Sequence, residues 1–141
     1  PANFVWVGDG QLKTELLVNG KLPSNLTVSG WRDRQEVLEE LSVSDIFVLF
    51  SRWEGMPLAL IEAQATGLPA VVSDVVGCRD VVRDGVTGFI CATMDEIVER
   101  VRLLIVDTDL RKKMGENARA MALERFSAER MHREMLEVYG F

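Results

Sequence analysis

Two cysteines and a single histidine are all that this 141-residue sequence offers toward thiol, metal or imidazole chemistry. Cys78 and Cys91 stand thirteen apart without a metal-ligand pattern, and Cys91 sits in an apolar, strand-like run. They read as reduced thiols of a cytosolic protein rather than as a disulfide or zinc pair. His132 lies among charges on a helical stretch, and no Ser-His-Asp or Cys-His arrangement surrounds it, so it reads as exposed. Basic residues are also in deficit, 16 against 22 acidic for a net charge of −6. That balance argues against a phosphate-backbone footprint, and no DNA or RNA partner is expected. No run approaches the roughly 18 apolar residues of a membrane span. The opening Pro-Ala-Asn-Phe-Val-Trp has neither basic n-region nor apolar h-region, so no signal peptide is visible, and without an initiator Met the chain reads as an excised piece. Internal repeats and low-complexity tracts are absent.

What is present is an ordinary globular composition, 48% hydrophobic and 27% charged, at a length that suits one domain spanning 1–141. Strand and helix patterns alternate. Phe4-Val5-Trp6-Val7 is a first strand ended by Gly8-Asp9-Gly10, followed by a helical stripe of Leu12, Leu16 and Leu17 that stops at Asn19-Gly20. A dinucleotide fingerprint would need glycine at position 13, where Lys13 stands, so the glycines read as a tight turn. Leu26 to Trp31 is a second strand. Asp33 and Glu36 then form a capping-box start for a helix carrying Val37, Leu38 and Leu41 and ending near Ser44. Asp45 to Phe50 is an apolar run of strand length, read as buried on both faces of a parallel sheet. Pro69 to Asp74 and Gly88 to Ala92 are two further strands. Thr93 and Glu96 cap a helix with a stripe of Ile97, Val98, Val101, Leu104 and Ile105. A helix over Thr108 to Arg125 follows, with Leu110, Met114, Ala118 and Met121 on its stripe. Ser127 caps a last helix bearing Met131, Met135, Leu136 and Tyr139, read as core or as a partner face. The fold class is α/β: a Rossmann-like three-layer sandwich with a mostly parallel sheet, about five strands and a helical C-terminus.

The stretch from Phe50 to Gly67 is where chemistry concentrates. Pro57 suits the first position of a helix over roughly 57–66, and Gly67-Leu68-Pro69 marks its stop. Glu54 then lies in the loop at the carboxyl end of a strand, and Glu62 near the second turn of the helix, leaning back toward that loop. Both acids can line one crevice that also faces the free N–H groups and positive dipole end of the helix. Carboxylates that accept from hydroxyls beside a helix end that accepts phosphate suit a nucleotide sugar. The pattern alone also admits a solvated loop acid and an exposed helix acid.

The flanking residues decide between them. Arg52-Trp53-Glu54-Gly55-Met56-Pro57 followed by Leu60-Ile61-Glu62-Ala63 resembles the Glu-seven-residues-Glu motif of the retaining, family 4 glycosyltransferases of the two-domain GT-B fold. The likeness runs from Phe4-Val5-Trp6-Val7-Gly8-Asp9-Gly10 to Glu124-Arg125-Phe126-Ser127 and implies the C-terminal, donor-binding half. By that resemblance Glu54 holds a donor-sugar hydroxyl and stabilises the reacting donor, Glu62 binds the ribose hydroxyls, and Gly55, Met56, Pro57 and Leu58 line the sugar and phosphate, with backbone N–H groups from all but Pro57. Trp31 and Arg32, just past the second strand, fall where the family meets the nucleobase, although a packing tryptophan and a plain surface charge explain them as well. The family's paired glycines and Glu after the fourth strand are only partly kept: Val76 replaces the first glycine and Asp80 the Glu, while Gly77 remains.

The resemblance implies a UDP- or GDP-linked donor, no metal and no other cofactor, and a cytoplasmic, polysaccharide-building enzyme that reaches the inner membrane through its N-terminal domain. That acceptor domain and the family's diphosphate-clamping Arg and Lys are not in this chain, so the fragment is expected to be inactive alone. In the usual order 3-2-1-4-5-6 the strand absent here is the central one. The two edges it leaves are expected to close by direct pairing of the strands at 4–7 and 46–50, by a strand from another copy, or by a companion chain. A non-catalytic nucleotide- or partner-binding subunit is the alternative, and a sugar-nucleotide epimerase a more remote one.

Overall fold

The structure is a computed structural model that describes residues 2–20 and 22–140, the side chains of Leu12, Leu16 and Asn19 excepted. Where the sequence suggests one domain, the residues group into two compact units, Pro1–Ser42 and Val43–Phe141.

The first unit holds β1 (Phe4–Val7), α1 (Gln11–Asn19), β2 (Leu26–Gly30) and α2 (Arg34–Val43, whose last residue lies past the unit boundary). β1 and β2 pair in parallel with an irregularity between Trp6 and Val7. The capping box of α2 is formed in full: Glu36 N–H donates to Asp33 Oδ1 and Asp33 N–H to a Glu36 carboxylate oxygen, both at 2.9 Å. β2 stops one residue short of Trp31 because Gly30, at φ +81°, turns the chain out of the ladder.

The second unit is a three-stranded parallel sheet, β3 (Phe47–Leu49), β4 (Ala70–Ser73) and β5 (Gly88–Cys91), with helices α3 (Leu58–Thr66), α4 (Val76–Val81), α5 (Met94–Val106), α6 (Thr108–Phe126) and α7 (Ala128–Tyr139). β4 is the central strand, and every one of its residues is buried. Alternating side chains feed two cores: Ala70 and Val72 pack with Leu60, Cys78, Val81 and Val82, and Val71 packs with Cys91, Ile97, Leu104 and Met114. This is the period-two division of a strand covered on both faces. Parallel pairing throughout, with helices between the strands, makes the fold Rossmann-like.

Four elements, β3, α4, α5 and α7, differ from their reading in the sequence. β3 is three residues rather than six, and it is not buried on both faces, since Val48 is 43% exposed; within the second unit its ladder partner among the described residues is β4. The strands form two sheets, β1 with β2 in the first unit and β3, β4 and β5 in the second. α4 was not expected from Val-Gly-Cys-Arg-Asp-Val, a composition with weak helix propensity; packing of Cys78 and Val81 into the core holds it. Of the two readings of the α7 stripe, core or partner face, core does not hold within this chain, for Met131, Met135, Leu136 and Tyr139 are all exposed. On α5 Ile97 and Leu104 are buried and Val101 packs half-buried against the same core, while Val98 and Ile105 are exposed. Both cysteines are free and buried, and among the described residues no helix is long and apolar enough to cross a membrane.

The start of α5 follows its sequence signal. Thr93 Oγ1 accepts from Glu96 N–H at 3.2 Å, and Glu96 accepts from Ala92 N–H at 2.7 Å. Thr93→Ala is expected to lower stability by about 1 kcal/mol, read as a lower urea midpoint with an unchanged slope; an unmoved midpoint would show that the cap contributes nothing.

Candidate functional site

The Glu54 loop begins where β3 ends. The last ladder pair is Leu49 with Val72, and beyond it the chain is tied to β4 by a side chain instead of by backbone. The buried Ser73 hydroxyl accepts from Ser51 N–H at 3.0 Å and donates to Ser51 O at 2.7 Å. Ser51 Oγ in turn donates to Glu54 Oε1 at 2.6 Å. Glu54 is half-buried, whereas its neighbours Trp53 and Met56 are 81% and 56% exposed.

A second tie comes from α4. Gly77 N–H donates to Glu54 O at 3.3 Å, and the backbones meet so closely that a Cβ on Gly77 would lie 2.7 Å from Glu54 O and closer still to Gly55 O. The retained glycine is therefore required by contact with the loop.

Behind the loop is a cavity of about 240 Å³ lined by Arg52, Trp53, Glu54, Asp74, Val76 and Arg79, among others. Asp74 and Arg79, both in its lining, pair at 2.5 Å; the guanidinium holds the Asp74 carboxyl below the usual carboxylate range, and the carboxylate raises the guanidinium in return. These two residues were not singled out in the sequence, where nothing in their spacing marks them as partners. Burial pushes the Cys78 thiol up, and the negative charge of Glu54 adds to the effect. A thiol so placed stays protonated and is a poor nucleophile.

α3 carries the second acid. Pro57 occupies the cap position, one residue before the helix, with no side-chain bond to the first turn; the helix stops at Gly67 in the left-handed region, φ 95°, whose N–H reaches Ala63 O and Gln64 O. Glu62 is half-buried on this helix and is not among the residues lining the cavity that contains Glu54. Gly55 and Leu58 are exposed and Pro57 is buried.

Trp31 and Arg32 belong to the first unit. Trp31 is 74% exposed immediately after β2, so it is not a packing tryptophan within that unit, and Arg32 pairs with Glu36 at 3.2 Å. The same unit has a cavity of about 370 Å³ around the Gly8-Asp9-Gly10 turn, lined also by Trp6, Gln11 and Lys13. Gly10 N–H and the Lys13 ammonium engage Asp9 at 2.8 Å and 3.2 Å and keep its carboxyl below the ordinary range. His132 is exposed on α7.

Comparison with known proteins adds the family. In sequence the chain is 41% identical over 110 residues to the Escherichia coli UDP-Gal:alpha-D-GlcNAc-diphosphoundecaprenol alpha-1,3-galactosyltransferase, covering 75% of this chain and 28% of that protein. It is 31% identical over 143 residues to the Bacillus anthracis N-acetyl-alpha-D-glucosaminyl L-malate synthase, covering 98% of this chain and 37% of that one. The chain thus spans little more than a third of the length of these relatives, or less. In structure it resembles Anabaena HepE solved with UDP-glucose, with a TM-score of 0.85 at 21% identity over 98% of this chain and 40% of that one, a likeness of fold. The profile of the family described as "Glycosyl transferases group 1" matches residues 1–121, and the chain belongs to that family.

Proposed function

We propose that this chain is the donor-binding part of a glycosyltransferase that moves a sugar from a nucleotide-sugar donor, UDP- or GDP-linked, to a glycan or lipid-linked acceptor in polysaccharide assembly at the cytoplasmic face of the membrane. The acceptor domain and the diphosphate clamp lie in polypeptide outside the chain. The observation that carries the reading is the placement of Glu54: a carboxylate at the carboxyl end of a parallel strand, tied by Ser51 and lining a cavity, which is where open α/β sheets bind ligands.

In this reading Glu54 accepts a hydroxyl of the donor sugar and places negative charge beside the reacting centre, while Glu62 accepts from the ribose hydroxyls. The N–H groups at the start of α3, which no side chain caps, donate to the phosphate oxygens, supported by the helix dipole. Trp31 and Arg32, in the first unit, are the proposed contacts of the nucleobase. Catalysis rests on orientation and electrostatics, with no metal needed.

Calorimetric titration with UDP and GDP tests the nucleotide site. Hydrogen bonds to a charged carboxylate contribute about 1.5–3 kcal/mol, so Glu62→Ala is expected to weaken nucleotide binding by about 10- to 100-fold. Equal heats and affinities from the two proteins would remove Glu62 from the site.

A further inference from the structure

We propose that Ser51 is the positioning residue for Glu54, with Ser73 on the neighbouring strand as its anchor. The inference rests on the reading of Glu54 as the donor-sugar contact and adds what holds it there.

Glu54 is half-buried on a loop whose nearby side chains, Trp53 and Met56, are largely in solvent, so its loop neighbours give it little packing. The terminal torsion of a glutamate is broad, and an unrestrained carboxylate would sample many orientations. Two hydrogen bonds replace the missing packing. The main chain is pinned by Gly77 N–H to Glu54 O. The carboxylate is pinned by Ser51 Oγ at 2.6 Å, the length of a charge-assisted O–H to O⁻ bond. Ser51 can serve as a fixed donor because its own backbone is not free: Ser73, 5% exposed, bonds both its N–H and its C=O where the ladder has run out. Rigidity thus passes from the buried central strand to the carboxylate through two hydroxyls. Supporting bonds of this kind are what keep a functional side chain within the small tolerance that orientation effects require.

Ser51→Ala removes only the bond to Glu54, since Ser73 holds the main chain of Ser51, which alanine keeps. In the full-length enzyme this substitution is expected to lower kcat by about 10- to 100-fold, the range that small misplacements cost, with the Kd for free nucleotide within about twofold of wild type. Ser51→Thr keeps the hydroxyl and is expected to restore most of the rate, while Ser51→Cys, a weak donor of similar size, is not. Added to Glu54→Ala, Ser51→Ala is expected to cost nothing further, because the two act as one unit. Wild-type turnover by Ser51→Ala and Ser51→Cys beside an impaired Glu54→Ala would overturn the positioning role alone, as would an undiminished loss when Ser51→Ala is combined with Glu54→Ala. Wild-type turnover by Glu54→Ala itself would overturn the reading of Glu54 and the role of Ser51 with it.

Discussion

Glu54→Ala in the full-length protein is expected to lower turnover by about 10²- to 10³-fold, the cost of removing one preorganised electrostatic group from a reacting centre, while the affinity for free nucleotide stays within about twofold. The split follows from position. Glu54 lines the cavity with Arg52, Trp53 and the Asp74–Arg79 pair, whereas Glu62, the proposed nucleotide contact on α3, is not in that lining. A group that meets the sugar and not the nucleotide acts as the glycosidic bond lengthens and charge develops on the ring, so its loss appears in kcat. Glu54→Gln separates shape from charge: it keeps the side-chain length and one acceptor oxygen, and is expected to fall between wild type and alanine. Steady-state kinetics with a nucleotide-sugar donor, beside calorimetry with the nucleotide alone, reads both quantities. A rate unchanged by Glu54→Ala would take this residue out of the mechanism, and an equal loss of nucleotide affinity would move it to the nucleotide half of the site.

How much of this was legible in the sequence depends on whether the signal was local. β4 was legible because an uninterrupted Ala-Val-Val-Ser run between a proline and a turn has no good alternative to a strand covered on both faces, and all four residues are buried. Phe47-Val48-Leu49 carries the same signal and gives a different result, since Val48 is 43% exposed; burial of a strand face depends on neighbours that its own residues do not declare. The capping box at Asp33–Glu36 formed in both directions as its three-residue spacing indicates, while at Thr93–Glu96 the Thr93 half formed and the Glu96 carboxylate accepts from Ala92 N–H. α4 was not legible, because its helical state is imposed by the core beneath Cys78 and Val81 against its propensity. α7 shows a periodic apolar stripe, but its period says only that one face is apolar, not what covers it. For the candidate site, Glu54 and Glu62 stand out through their spacing and flanks, and of the two Glu54 lines the cavity. The hydroxyl relay was not, since Ser51 and Ser73 are 22 residues apart and serine at either position is unremarkable until β3 and β4 are paired. The same holds for Asp74 and Arg79, whose pairing needs the turn into α4 to bring them together.

Gly77 joins stability and function at one atom, and Gly77→Ala is expected to impair both. The added Cβ would lie 2.7 Å from Glu54 O and nearer to Gly55 O, distances that real contacts do not show, and the obstructing atoms are backbone, which cannot swing aside as a side chain would. Either α4 or the Glu54 loop must move. α4 is the more firmly held, because Cys78 and Val81 are fully buried on its inner face, whereas Gly55 and Met56 are exposed on the loop. The loop is therefore the part expected to give way, lengthening the Gly77 N–H to Glu54 O bond and carrying Glu54 away from Ser51. Overpacking of this kind costs about 1–3 kcal/mol of stability, and a displacement near 1 Å at a catalytic carboxylate costs about 10²-fold in rate. Ala is better than Gly within a helix by roughly 0.5–1 kcal/mol, so the collision must outweigh a propensity gain, and the sign of the stability change is itself informative. A Gly77→Ala protein more stable than wild type and equally active would show that the loop adapts freely and that the backbone contact does not position Glu54. A less stable protein that keeps full turnover would confine Gly77 to the fold. Loss of both, together with nucleotide affinity within about twofold of wild type, is the result expected if α4 holds the sugar-facing carboxylate from behind while the nucleotide contacts on α3 are left in place.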